Sequence, residues 1–217
     1  MTQEEKLYAP LDEFLKKLKK KIKQVYSPLY VSSFDQLNVI MLNKRTAEIY
    51  SELDDYNRKA YRLLAEHARE WAYAQMGKAF KKKDMSELVN AYLKGYDPVT
   101  QYVYVKEVDR KRMRLNESVL AAREYQEFDK LQKSVKKAAD LWFTQSSQYA
   151  IDLMDLALTE AFLEEEDDDP VFFMWNAVID GRECEECHAR NGKIYESDEY
   201  PPKPHYGCRC FKTLVKG

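Results

Sequence analysis

All four cysteines of this chain, and two of its three histidines, fall in one short stretch near the C-terminus: Cys184, Cys187, His188, His205, Cys208 and Cys210. Grouped as C-x2-C, a loop, then H-x2-C-x-C, they have the order of a site that wraps one tetrahedral ion. A short knuckle supplies two thiolates and a returning segment supplies the rest. No other feature constrains the fold as tightly, because a segment of fewer than about 50 residues gains too little from its own core to fold without a staple. The expected cofactor is a structural Zn2+. Cys184 and Cys187 form the first pair of ligands; His205, Cys208 and Cys210 offer one candidate more than a second pair needs. Cys208 and Cys210 share a face if the chain is extended, whereas His205 and Cys208 have knuckle spacing. His188, directly after a ligand, is expected to point elsewhere, and His67, alone in a helical run, to be a packed or solvent-edge histidine.

Composition bounds the rest. The 217 residues are 45% hydrophobic and 13% aromatic, enough for a sizeable core in one or two domains. The 35 basic and 37 acidic side chains leave a net charge of −2, so the chain as a whole lacks the field that captures nucleic acid or an anionic membrane. No apolar run approaches the roughly 20 residues that cross a bilayer, and the first residues lack the basic-then-apolar order of a secretory signal. The expectation is a cytoplasmic product, where reducing conditions favour metal ligation over disulfides.

The first two thirds read as helical. Leu11, Phe14, Leu15, Leu18, Ile22 and Val25 mark one stripe, flanked by lysines from Lys16 to Lys23, and Ser27-Pro28 ends it. A second helix is expected from Phe34 to about Asp54. A third runs from about Asp55 to Lys81 and carries Tyr61, Leu64, Ala68, Trp71, Ala72 and Met76. Asp84 to Glu87 reads as a fresh N-terminus, opening a short helix that Gly95 closes. After a turn around Pro98 and a β-rich Tyr102–Val105, helical spacing returns from about Lys106. Leu115, Val119 and Ala122 begin its apolar face, Tyr125, Phe128, Leu131, Val135, Ala138, Ala139 and Trp142 continue it, and a last helix ends near Phe162. The basic runs Lys16–Lys23 and Lys81–Lys83 read as solvated faces that could touch DNA locally.

Six carboxylates, Glu164 to Asp169, then Pro170, interrupt this pattern. The expected organisation is a helical body over 1–163, an acidic hinge over 164–170 and a zinc-binding module over 171–217. The fold class is mainly α, with a small zinc-stapled α+β module at the C-terminus. In that module Val171–Ile179 is a dense apolar run, Asp180-Gly181 turns into the first knuckle, Asn191-Gly192 is a turn and Lys193–Tyr195 is extended.

Catalytic signatures are missing. Zinc deaminases pair an H-x-E or C-x-E element with P-C-x-x-C, and Cys187-His188-Ala189-Arg190 puts Arg190 where that glutamate would be, with the cysteine pair preceding it. There is no H-E-x-x-H, G-x-S-x-G or G-x-x-x-x-G-K-[ST]. A ββα-metal nuclease with His205 as base lacks its usual paired knuckles and downstream histidine.

The run Trp175-x4-Asp180-Gly181-Arg182-x-Cys184-x2-Cys187, then Asn191-Gly192-Lys193, then proline-rich sequence to His205-x2-Cys208-Arg209-Cys210, resembles the C-terminal signature of the minor head proteins of tailed phages. This is the head morphogenesis family named after the F protein of phage Mu. One departure is Tyr206, where the family often has proline. The resemblance implies a non-enzymatic virion protein, present in few copies at the portal vertex or inside the head and assembled in the host bacterial cytoplasm. It implies the portal protein as partner, with major capsid or scaffold protein and DNA as further candidates, and no membrane. The rival expectation is a metal-dependent nuclease or DNA-binding adaptor using the same cluster.

Overall fold

A computed structural model describes residues 2–97, 102–164, 171–178, 184–205 and 207–215, with the backbone alone at 96–97 and 102–106. Among the described residues the protein is mainly helical, with six α-helices and a small antiparallel sheet near the C-terminus. Helix α1 spans Gln3–Tyr26. Thr2 starts it by accepting the Glu5 amide at 3.1 Å, while the Glu5 carboxylate accepts the Thr2 amide at 2.8 Å, a reciprocal cap written as T-x-x-E. Its expected stripe is buried apart from the half-buried Leu15, and a 3-10 turn at Ser27–Leu29 follows, as the proline requires.

The second and third expected helices are one. Helix α2 runs unbroken over Leu42–Met76. Nothing at Asp54-Asp55 removes an amide or a helical φ, and Leu53, Tyr61 and Leu64 continue the same buried stripe across it. Its start falls eight residues later than expected, after a 3-10 turn at Phe34–Gln36, where the Asn38 side chain accepts the Met41 amide at 3.2 Å. Its end comes earlier than Lys81. Gly77 takes φ +69 and Lys78 N–H reaches the Tyr73 carbonyl at 3.0 Å, the Schellman closure. Helix α3, Ser86–Lys94, opens and closes as expected, with the Ser86 amide bound to Asp84 at 2.9 Å.

Strands β1 (Tyr96–Asp97) and β2 (Tyr102–Val103) make a two-residue antiparallel ladder; the Pro98 turn lies outside the described residues. Helix α4 spans Tyr104–Glu124 and α5 Phe128–Leu163. The helical face expected to run without interruption from Leu115 to Trp142 is therefore divided. Gln126 adopts φ +56, and Glu127 N–H closes on the Ala122 carbonyl at 2.8 Å. A helix stop with glutamine in the left-handed position carries no glycine or proline signal, so the sequence pattern runs through it.

The chain divides into two compact units. One consists of Met1–Glu13, Tyr61–Leu88 and Ser147–Gly217. It contains the sheet, ordered β4-β3-β5, with β3 at Phe172–Asn176, β4 at Ile194–Glu196 and β5 at Phe211–Val215. Residues 171–217 thus cluster with parts of α1, α2 and α5; of the acidic hinge, residues 165–170 lie outside the described residues. Alternation along β3 buries Phe173 and Trp175. Phe173 meets Phe162 of α5 at 5.7 Å between ring centroids, and Phe211 meets Tyr8 of α1 and Trp71 of α2 edge-on at 6.2 and 5.9 Å. Each such ring contributes about 1.5–3 kcal/mol by burial. The other unit, Phe14–Ala60 with Val89–Ser146, is built on Tyr50 against Trp142, Phe14 stacked on Tyr56, and a buried hydrogen bond from Asn57 to Ser146 at 2.7 Å.

Candidate metal centre

Cys184 caps a six-residue helix, α6, over Glu185–Arg190. Its sulfur accepts the Cys187 amide at 3.4 Å and its carbonyl accepts the His188 amide at 3.0 Å, which turns the Cys187 side chain inward. Cys187 is fully buried, whereas His188 is exposed on the helix, away from the cluster. Asp180 to Glu183, leading into this knuckle, lie outside the described residues. The Asn191-Gly192 turn joins α6 to β4: Gly192 takes φ +76, its amide donates to the Trp175 carbonyl at 2.8 Å, and the Asn191 side chain accepts the Ala177 amide at 2.9 Å.

The second knuckle is a turn in which Cys208 N–H meets the His205 carbonyl at 3.3 Å. Gly207 holds φ +77, and its amide donates to Gln148 of α5. Tyr206, the departure noted above, lies outside the described residues. Cys208 and Cys210 are both buried, and Cys210 leads directly into β5. His67 sits apart, half-buried on α2 with a ring nitrogen 3.0 Å from the Lys6 carbonyl.

The structure brings together all five sequence-predicted ligands. Cys184, Cys187 and His205 form one group whose donor atoms lie within 4.8 Å of one another, and Cys187, Cys208 and Cys210 form another. Cys187 belongs to both. Its sulfur lies 3.6 Å from that of Cys208 and 3.4 Å from His205 Nε2. Zinc–sulfur bonds of about 2.3 Å at tetrahedral angles put neighbouring donors roughly 3.5–3.8 Å apart, so these separations fit a shared ion. Either group could hold a metal ion.

Electrostatics point the same way. The hydrogen bond from Cys208, against the cost of burial and with help from the Val178 amide, lowers the Cys210 thiol to about 5. Burial, with hydrogen bonds to Cys210 and Cys184, pushes Cys187 up to about 12, and Cys208 is raised by its bond to Cys210 and by burial. Negative charge therefore gathers on Cys210 while two neighbours keep protons that a divalent cation would displace. The Trp175 indole N–H is buried without a hydrogen-bond partner of normal geometry among the described residues, yet it helps lower Cys210 and so lies beside that sulfur. An indole donor facing a metal-bound thiolate would satisfy both groups.

Several supporting residues escaped the sequence reading. Arg190 lies over the Trp175 ring at 5.1 Å, donates to the Pro202 carbonyl at 2.8 Å and pairs with Glu186. Tyr200 stacks on Trp175 at 5.4 Å. Lys212, almost wholly buried, meets Asp155 at 3.2 Å, Thr159 at 2.8 Å and the Tyr200 ring at 4.4 Å. Arg209 covers Tyr8 at 4.8 Å and approaches Asp12 at 3.4 Å. The C-R-C and F-K-T strings were visible, but their partners are far away in sequence. Arg190, at the position where a deaminase would carry glutamate, is occupied in packing.

The family model described as Phage Mu protein F like protein matches residues 112–213. Over this stretch the chain is similar to the phage Mu protein F-like family. The match takes in most of α4, all of α5 and all four cysteines. No curated protein and no solved structure matches the chain. No helix among the described residues is long and apolar enough to cross a membrane.

Proposed function

We propose that the protein is a phage minor head protein, a head morphogenesis factor that docks at the portal during procapsid assembly and catalyses no reaction. The observation that carries this reading is the family match over the stretch that holds the cysteine cluster. The same match supports a location in the virion. The chemistry of the cluster supports a structural role for the ion. Among the described residues its donors are cysteine and histidine alone, the donor set of a closed structural zinc site. Zn2+ is the metal this thiolate-rich set suits. Cys184, Cys187 and Cys208, completed by His205 or Cys210, would hold it and lock the two knuckles together.

The basic run at Lys81–Lys83 is a weaker candidate for DNA than its sequence implies, since Lys83 meets Glu160 and Glu164 and Lys82 meets Glu66 at 3.2 Å. The lysines of α1 remain mostly exposed, Lys21 being paired with Glu52.

Two measurements test the proposal. Elemental analysis of the purified chain should give about one zinc per molecule, and Cys187→Ser should lose it. The portal protein encoded by the same phage should retain the chain in a pull-down, and procapsids should contain it. Metal-dependent cutting of DNA that disappears in His205→Ala would instead identify a nuclease.

A further inference from the structure

The second compact unit contains a cleft of about 420 Å³ between α4 and α5, away from every cysteine in sequence. Its lining repeats one pattern on both walls. On α4, Lys111, Arg114, Leu115 and Ser118 follow helical spacing i, i+3, i+4, i+7, and on α5 Ser134, Lys137, Ala138 and Leu141 follow the same spacing. Ser118 and Ser134 stand equally far on either side of Gln126, as do Lys111 and Leu141, so the two faces oppose one another across the turn.

Three cationic side chains meet in this cleft against a single carboxylate, Glu117. Arg114 and Lys137 have no ion-pair partner among the described residues, and the hydroxyls of Ser118 and Ser134 have no hydrogen-bond partner there. Lys111 is buried and lies 5.2 Å from the centre of the Trp142 ring. Other charged residues of the same helices are paired, Arg110 with Glu107, Lys130 with Glu127 and Lys136 with Asp140. Unpaired cations drawn together around two hydroxyl donors and a small apolar floor have the chemistry of an oxyanion site.

We infer that the α4–α5 cleft binds a phosphate group, with Arg114 and Lys137 as its charged contacts and Ser118 and Ser134 as hydroxyl donors. Inorganic phosphate, a nucleotide and the phosphodiester backbone of DNA share that group. Glu117, which also lines the cleft, disfavours binding.

Calorimetric titration of the full chain at low salt, with sodium phosphate, deoxyadenosine monophosphate and a single-stranded oligodeoxynucleotide in turn, tests this. Saturable binding of at least one probe is expected. Arg114→Gln/Lys137→Gln should weaken it at least tenfold, Glu117→Gln should tighten it, and Lys19→Gln/Lys44→Gln, with the same change of charge at exposed positions outside the cleft, should leave it unchanged. Binding of free phosphate marks a small-anion site; binding of the oligonucleotide alone marks the nucleic-acid backbone. No saturable heat with any probe, or equal losses in the two double variants, overturns the inference. The substituted positions are exposed apart from the cleft itself, and an unchanged helical circular-dichroism spectrum verifies that each variant folds.

Discussion

Gln126 ends α4 with a left-handed backbone, and its side-chain amide donates to the Arg123 carbonyl at 3.0 Å. Placing a non-glycine residue there costs roughly 1–2 kcal/mol, which the local hydrogen bond offsets by about 0.5–1.5 kcal/mol. Gln126→Gly should therefore be neutral to stabilising, while Gln126→Ala, which keeps the strain and loses the bond, should lower the melting temperature by about 2–4 °C for a chain of this size. Thermal melts of the two variants check this; a glycine variant less stable than the alanine one contradicts it. Gly207 is the counterpart in the metal region. A Cβ there meets nothing within 4 Å, so Gly207→Ala acts through its φ of +77 alone. It should cost about 1 kcal/mol and loosen metal retention during chelator titration.

Paired elements are joined by charges that their sequences do not announce. Arg69 of α2 is buried and pairs with Glu164 beyond the end of α5, which Lys83 also reaches at 2.8 Å. The Arg69 hydrogen bond, with help from Lys83, holds the Glu164 carboxyl below its ordinary value of 4.5. A depressed folded pKa adds stability that is complete above the unfolded value and is lost as pH falls through the folded one. Glu164→Gln should thus destabilise the protein at neutral pH and flatten the loss of melting temperature below about pH 4.5. An identical acid limb in both proteins would refute the linkage. Lys212 does similar work between β5 and α5. Lys212→Ala leaves Asp155 without its closest cation and should cost about 3–5 kcal/mol in urea unfolding, with Lys212→Met less damaging because it fills the same space against Tyr200. Such couplings mark the limit of legibility. The stripes of α1 and α2, the short helix before Gly95, the strands at Phe172 and Ile194 and all five candidate ligands could be read from spacing and residue type. The α4–α5 break, the continuity of α2 and the Arg69, Arg190 and Lys212 contacts could not, since each depends on a partner or backbone angle that local pattern does not encode.

At the scale of the whole molecule, the metal region shares a compact unit with the start of α1, the end of α2 and the second half of α5. Stripping the proposed ion with a strong chelator should accordingly raise amide hydrogen exchange in β3, β4, β5 and α6 and also in residues 5–13 and 61–76, with the Phe14–Ala60 segment protected longer. Exchange confined to the C-terminal strands would show that the ion stabilises those strands alone. Lower pH should release the proposed metal, because cysteine and histidine would bind it as thiolates and neutral imidazole. The same three-segment construction governs synthesis. The apolar faces around Leu7 and Trp71 leave the ribosome well before Phe173 and Phe211 exist to cover them. This half of the protein must therefore mature last, once translation has passed the second knuckle, and a nascent chain stalled before that point would expose sticky helices to chaperones.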